Sequence, residues 1–270
     1  MEGVKPRRDQ ELTPSTGATI TTNDPSEKLS KLLESSDSTK IMMGLAQAKD
    51  GGSDEFVGKI LWLYMFSDNA LVRKLAKSAF LNLAPEDAKQ VVKANWKDKY
   101  RTQSFSQIIS DTSIKDFTNC KVGDYGALDR GRYPAYEKKL GHVSVIENRG
   151  FILGAYIHPV TLLISHDLSS TSVSIIEPFC RELEGGEFMI SLVTVKALGM
   201  ICDVQAVEPL IKTLDSDAYA LPVAAAKALG KIGDKRAIEP LVKLKAKKSI
   251  YPSLDRQIQE ATFKALDRLS

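Results

Sequence analysis

The stretch that decides the fold is AVEPLIKTLDSDAYALPVAAAKALGKIGDKRAIEPLVKL, residues 206–244. Within it, Glu208-Pro209 is followed 31 residues later by Glu239-Pro240, and a third copy, Glu177-Pro178, stands 31 residues before the first. A fixed period of this length is typical of repeat proteins, in which every repeat is one structural unit. The sequence therefore predicts a repeat architecture.

A second motif moves with the same period. Lys196-Ala197-Leu198-Gly199 recurs as Lys227-Ala228-Leu229-Gly230, and each copy is followed by an aspartate, first Asp203 and then Asp234. Two independent motifs that share one offset are hard to ascribe to chance. They indicate that a whole structural unit is repeated, rather than a single short motif.

Each unit is predicted to form two helices. The apolar residues of the first helix follow the i, i+3, i+4, i+7 spacing of one helical face: Val207, Leu210, Ile211 and Leu214. In the second helix, Pro222 suits the first turn and Gly233 suits the C-terminal end. One such hairpin cannot bury both of its apolar faces, so similar hairpins stack. We therefore expect an all-α fold, an α-solenoid of helical hairpins.

The whole chain is predicted to divide into four segments. Residues 1–25 contain almost no large apolar side chains, which predicts a disordered polar tail. Residues 26–100 carry a weaker form of the helical pattern, and residues 101–150 lose it, which predicts an irregular central insertion. Residues 151–270 are expected to form the C-terminal repeats and a terminal cap.

The repeat resembles a known family. The residues AVEPLIKTLDSD and AAAKALGKIGDKRAIEPLVKL are similar to HEAT-like repeats of the phycobilisome-lyase type, which belong to the armadillo-like superfamily. This resemblance covers roughly residues 174–244 and is weaker over residues 54–83. It implies a superhelix with recognition on its concave surface. The family includes lyases, adaptors, a hydroxylase and DNA-binding enzymes, so the fold alone does not select a function.

The composition excludes several classes of protein. The chain has 37 Lys and Arg against 34 Asp and Glu, a net charge of +3, which does not require a nucleic-acid or anionic-membrane partner. No apolar run reaches the ~18 residues of a membrane span, and the N-terminus lacks the apolar region of a secretion signal. The three cysteines have no CxxC spacing. We expect a cytoplasmic protein.

The sequence shows no catalytic or metal-binding pattern. None of the three histidines is part of a His-Glu dipeptide, which a HEAT-like iron hydroxylase would need. Ser165-His166-Asp167 contains the residue types of a catalytic triad, but adjacent residues point in different directions, whereas triads assemble from distant positions. No Walker-type loop is present. We expect no cofactor and no metal, and a lyase if the protein is an enzyme.

The best candidate for a binding site lies in the irregular insertion. Tyrosine and arginine are enriched at interaction hot spots. The predicted partner-binding residues of this segment are Tyr125, Arg130, Arg132, Tyr133 and Tyr136. The alternative interpretation is an ordinary solvated loop. A second cluster, Lys243, Lys245, Lys247 and Lys248, has the same two interpretations, a solvated helix face or a contact to an acidic partner.

Three functional hypotheses follow. The first is a non-enzymatic protein-binding scaffold or adaptor that uses the solenoid surface and the loop over residues 121–141. The second, implied by the resemblance alone, is a bilin lyase or chromophore chaperone. The third is a nucleic-acid-binding protein with a basic groove, as in some HEAT-like glycosylases; it predicts affinity that falls with added salt.

Overall fold

A computed structural model of the chain describes residues 24–51, 54–101, 103, 120–123, 136–140, 142–185, 187–218, 220–247 and 252–270. The described chain is mostly helical. Its N-terminal helices are α1 (Pro25–Leu33), α2 (Ser38–Gly51), α3 (Val57–Phe66), α4 (Ala70–Leu83) and α5 (Glu86–Asn95). Its C-terminal helices are α6 (Pro159–Leu168), α7 (Glu177–Gly185), α8 (Phe188–Ile201), α9 (Val207–Thr213), α10 (Ala220–Ile232), α11 (Ile238–Ala246) and α12 (Pro252–Leu269).

The N-terminal helices form antiparallel pairs. Helix α1 packs on α2, α3 packs on α4, and α2 also packs on α4. Their starting points are set by side-chain caps: Asp24 accepts a hydrogen bond from the backbone N–H of Ser26 at 2.9 Å, and Asn69 accepts one from Leu71 at 2.9 Å. Phe80 is among the largest buried side chains of this part. The weaker helical pattern of this half thus forms packed hairpins.

A small antiparallel sheet occupies the centre of the described chain, so the fold is mostly helical rather than all-α, and the described residues of the predicted irregular insertion include strands. Its strands are β1 (Lys121–Gly123), β2 (Tyr136–Leu140), β3 (Val143–Asn148) and β4 (Phe151–Ile157), in the spatial order β1-β4-β3-β2. The last strand also replaces the helical repeat predicted to begin at residue 151. Short apolar runs of this length do not distinguish a buried strand from a helix by periodicity.

The turn between β3 and β4 explains why the chain forms a hairpin there. Arg149 and Gly150 have φ angles of 49° and 85°, the left-handed conformation that two-residue hairpin turns require. One face of the sheet packs on α8, where Val145, Ala155 and Ile157 join the same buried cluster as residues of that helix. The sheet is therefore part of the core rather than a peripheral loop.

The C-terminal helices form the repeated hairpins that the 31-residue period predicts. Helices α7 and α8, α9 and α10, and α11 and α12 are the three pairs. The recurring aspartates begin the units: Asp203 accepts a hydrogen bond from the backbone N–H of Gln205 at 2.8 Å, and Asp234 accepts one from Arg236 at 2.9 Å. Each aspartate thereby caps the short 3-10 turn that precedes the first helix of its unit.

The glycine of the Lys-Ala-Leu-Gly motif explains how the hairpins stack. A Cβ atom on Gly199 would lie 2.7 Å from the Cβ of Ala228, and one on Gly230 would lie 2.8 Å from the Cβ of Ala265. The second helices α8, α10 and α12 therefore approach closely, whereas the first helices of successive units make few contacts. Because the close approach is on the side of the second helices, we call the face that they form the inner face of the stack.

Two buried clusters make up the core, and Trp62 contacts both. Among the described residues, one cluster combines the N-terminal helices with most of α6, and the other combines Leu162 of α6 with the sheet and the C-terminal repeats. The Trp62 ring lies 4.5 Å from Phe66 in the first, and 4.9 Å from His142 and 6.0 Å from Phe179 beside the second. The two halves therefore share one packed boundary.

Candidate interaction surface

A groove crosses the inner face of the stack between α8, α10 and α12, and encloses about 430 Å³. We call it the inner-face groove. Its principal lining residues are Leu192, Lys196, Met200, Val223, Ala224, Lys227 and Lys231, with Gln257 at one end. It combines an apolar floor with basic side chains at its edges.

The helix period places these side chains together. On α8, Leu192, Lys196 and Met200 are spaced at i, i+4 and i+8, so they share one face. On α10, Lys227 and Lys231 are likewise one helical turn apart. The lysine of the Lys-Ala-Leu-Gly motif projects from equivalent positions of successive helices, while its alanine and leucine are buried. The repeat therefore builds a row of lysines along the groove.

The charged residues that line the groove are all positive. Its lining residues include three lysines and no carboxylate. The Nζ of Lys196 donates to the backbone carbonyl of Lys121 at 3.2 Å. Within the part of the chain that the structure describes, Lys227 and Lys231 form no ion pair. Like charges one turn apart on a helix cost roughly 0.2–0.5 kcal/mol, so an anionic partner would relieve this repulsion.

The margin of the groove contains one neutralised pair. Lys264, the third copy of the motif lysine, contacts Glu260 at 2.6 Å, and this contact lowers the pKa of the Glu260 carboxyl. Both side chains are largely exposed. Exposed pairs of this kind stabilise a protein by about 0–1 kcal/mol, so Lys264 can exchange its partner at little cost.

The thiol beneath the groove is a packing group. Cys120 is buried, and its Sγ donates to the backbone carbonyl of Val193 at 3.2 Å. Burial raises the pKa of this thiol to about 12, and the nearby charges of Lys196 and Lys231 only partly oppose the effect. A thiol with so high a pKa is not a nucleophile near neutral pH.

Of the predicted partner-binding residues, the structure describes one. Tyr136 lies on β2 with 52% of its surface exposed, and its hydroxyl donates to Oε1 of Glu147 at 2.8 Å. This hydrogen bond raises the pKa of the phenol. The other four predicted residues, Tyr125, Arg130, Arg132 and Tyr133, lie outside the described residues. Their grouping with Tyr136 stays a prediction.

The inner-face groove itself was missed by sequence reasoning. The pattern that could have revealed it was the lysine of the repeated Lys-Ala-Leu-Gly motif, because a repeated exposed charge marks one face of a solenoid. The predicted lysine cluster lies elsewhere, on α11 and just after it, and Lys248 is outside the described residues. On α11, Lys243 contacts Glu239 at 2.8 Å and is largely exposed, as in a solvated helix face.

A second cavity, of about 350 Å³, lies where α1 and α3 meet α7. Its charged groups are already paired: the Lys59 ammonium contacts the carboxylates of Glu34 and, at 3.7 Å, Glu177. The hydrogen bond from Lys59 lowers the pKa of the Glu34 carboxyl. This cluster connects α3 with both neighbouring helices, so its charges serve the packing of the two halves.

The residues of the apparent triad do not act together. The hydroxyl of Ser165 donates to the backbone carbonyl of Thr161 at 2.8 Å, while Nδ1 of His166 lies 3.1 Å from Oδ1 of Asp167. Among the described residues, no group of three or more His, Cys, Asp or Glu side chains is placed to hold a metal ion. Within the same residues, none of the helices combines the length and apolar character that membrane crossing requires.

Comparison with known proteins supports the repeat. Residues 176–251 match the family described as HEAT repeats. The helical hairpins of this segment are therefore HEAT-like repeats, as the sequence predicted, and such repeats generally serve as protein-interaction scaffolds. The match does not distinguish the phycobilisome-lyase type. No curated protein matches the sequence.

Proposed function

We propose that this protein is a non-enzymatic scaffold in the cytoplasm and that it binds a partner protein in the inner-face groove. The observation that carries the proposal is the groove's composition. Met200 and Ala224 are only half-buried on its floor, and exposed lysines flank them. A concave apolar surface with a polar rim is the usual anatomy of a protein interface.

The central sheet supplies a second contact in this proposal. Tyr136 and Phe151 are exposed by 52% and 74%, and large exposed aromatic side chains are frequent anchors of protein interfaces. Both lie on strands of the same sheet, which packs on α8. Removing residues 121–141 would delete β1 and β2, so the test of this contact is the point variant Tyr136→Ala.

The proposal is tested by filling the groove. Ala224→Trp places a large side chain on its floor, and Val242→Trp makes a comparable change at an exposed position of α11, outside the groove. Each variant and the wild-type protein are used for affinity purification from the native cell, followed by mass spectrometry. We expect a protein that the wild type and Val242→Trp retain and Ala224→Trp loses. Identical partners for all three would refute binding in the groove.

A further inference from the structure

We infer that the segment bound in the inner-face groove is an extended acidic peptide of a partner protein, with carboxylates at every third residue and apolar residues between them. This inference rests on the proposed function and adds the chemistry of the partner. We base the inference on the positive charge of the groove, the spacing of its lysines and its apolar floor.

The positive charge of the groove favours an anionic occupant, since, among the described residues, the carboxylate that acts on this row, Glu260 on α12, interacts with Lys227 only through space and is itself hydrogen-bonded to Lys264. Lys196, Lys227 and Lys231 line the groove together with no carboxylate, and the last two form no ion pair with any described residue. A basic or neutral segment would leave these ammonium groups unmatched or place like charges beside them. A carboxylate beside each would provide the charge complementarity that steers association and fixes register.

The spacing of the lysines favours an extended segment. Lys196 and Lys227 occupy equivalent positions on adjacent helices, and packed helices lie about 8–10 Å apart. In an extended polyproline-type peptide, residues i and i+3 lie on one face about 9 Å apart. Two carboxylates separated by two residues therefore match one step of the lysine row. Lys231 lies one helical turn from Lys227 along α10, about 6 Å to the side of this row, and adds to the positive charge that the peptide meets.

The apolar floor of the groove favours a peptide that carries apolar side chains between its carboxylates. Leu192, Met200 and Val223 line the groove between the lysines. Burying apolar side chains against them contributes about 25 cal/mol per Å² of apolar surface removed from water. A purely charged polymer, such as a nucleic acid backbone, leaves this floor uncovered. An acidic peptide with apolar residues would pair with the lysines and also cover the apolar side chains of the floor.

The test uses labelled peptides and fluorescence anisotropy with the full chain. The acidic probe is Asp-Leu-Pro repeated four times, and its matched control replaces every Asp by Asn, which keeps the shape and removes the charge. A labelled single-stranded oligonucleotide of similar net charge is the third probe. We expect the acidic peptide to bind about ten-fold or more tightly than the Asn peptide, with an affinity that falls as salt is added.

Two charge-reversal variants locate the site. Lys227→Glu/Lys231→Glu changes the groove, and Lys245→Glu/Lys247→Glu makes the same change in charge on α11 and just beyond its end, outside the groove. All four side chains are exposed, so both variants are expected to keep the wild-type circular dichroism spectrum. The groove variant should bind the acidic peptide about ten-fold or more weakly, and the α11 variant should bind it nearly as well as the wild type.

Four results would overturn the inference. They are no binding of the acidic peptide at low salt, equal binding of the Asn peptide, equal losses in the two variants, or tighter binding of the oligonucleotide in the same groove. The Ala224→Trp purification remains independent of these outcomes. If that purification shows a partner in the groove while the acidic peptide fails, the chemistry of the partner is wrong and the scaffold proposal stands.

Discussion

At the scale of single residues, His142 is the clearest case of a side chain whose role follows from its surroundings. Its ring is buried, 4.9 Å from Trp62 and 4.4 Å from Phe179, and its buried Nε2 has no hydrogen-bond partner among the residues that the structure describes. Burial lowers the pKa of this imidazole to about 3. It therefore packs as a neutral aromatic ring at neutral pH.

The protein should consequently lose stability in mild acid. A histidine with a depressed native pKa binds protons more readily when unfolded, so its stabilising contribution is complete above about pH 6.5 and declines as the pH falls toward 3. Between pH 7 and 5 this one group should cost about 2 kcal/mol of unfolding free energy. Urea unfolding of His142→Phe should show a smaller fall over this interval than the wild type. An equal fall in both proteins would contradict the assignment.

A second residue-scale prediction concerns the two aspartates of the repeat. Asp203 is buried, and it accepts hydrogen bonds from Gln205 and, at 2.7 Å, from the hydroxyl of Ser174 in the preceding unit. Asp203→Ala should lower the free energy of unfolding by about 1–2 kcal/mol, because it removes a helix cap and leaves two partly buried donors without their acceptor. Asp234→Ala, at the more exposed equivalent position, should cost less. Thermal unfolding measures both, and a larger loss for Asp234→Ala would disprove the explanation.

Among the secondary-structure elements, the C-terminal helices could be predicted from the sequence and the strands could not. Helical apolar spacing, proline in the first turn and Gly233 at the end of α10 predicted the C-terminal hairpins, because these features act locally and recur with the period. The strands differ from the prediction: β3 lies in the segment predicted to be irregular, and β4 lies at the start of the predicted C-terminal repeats. Short apolar runs suit a strand or a helix until the partner strand is known. The inner-face groove depends on contacts between helices from different units, which no local pattern contains.

The packing of α8 on α10 provides the element-scale prediction. Gly199→Ala should lower the free energy of unfolding by about 1–3 kcal/mol, because its Cβ would lie 2.7 Å from that of Ala228 and force the helices apart. The matched control is Gly51→Ala at the end of α2, where an added Cβ meets no atom within 4 Å. That change should be neutral or stabilising by up to about 1 kcal/mol. Equal effects of the two substitutions in urea unfolding would argue against close helix stacking.

At the scale of the whole molecule, the two buried clusters are joined at one boundary. The Trp62 ring makes tilted and edge-on contacts to aromatic rings on both sides, and the nearby cluster of Lys59, Glu34 and Glu177 connects α1, α3 and α7. Helix α6 also spans the boundary, but Trp62 packs against both clusters, so its removal should reduce the cooperativity of unfolding as well as the stability. Trp62 lies on a predominantly apolar helix, and no local sequence pattern shows that it contacts two cores.

Trp62→Ala tests this connection. We expect a loss of about 3–5 kcal/mol of unfolding free energy and a separation of the two cores into distinct urea transitions. The chain has two tryptophans, so in this variant the fluorescence of Trp96 reports on the N-terminal cluster alone, while circular dichroism reports on all helices. Phe263→Ala, which removes an exposed aromatic ring on α12, is the control and should change little. One coincident transition in Trp62→Ala would contradict the proposed link.

Photo-crosslinking in the native cell shows whether the inner face of the stacked hairpins is the binding surface. A photoreactive phenylalanine derivative replaces Met200 in the groove or, as the control, Val242 on α11, which is 51% exposed outside the groove. If the partner binds in the inner-face groove, we expect a discrete crosslinked protein from position 200 and none from position 242. Crosslinking from position 242 alone, or equally from both positions, would contradict binding in the groove.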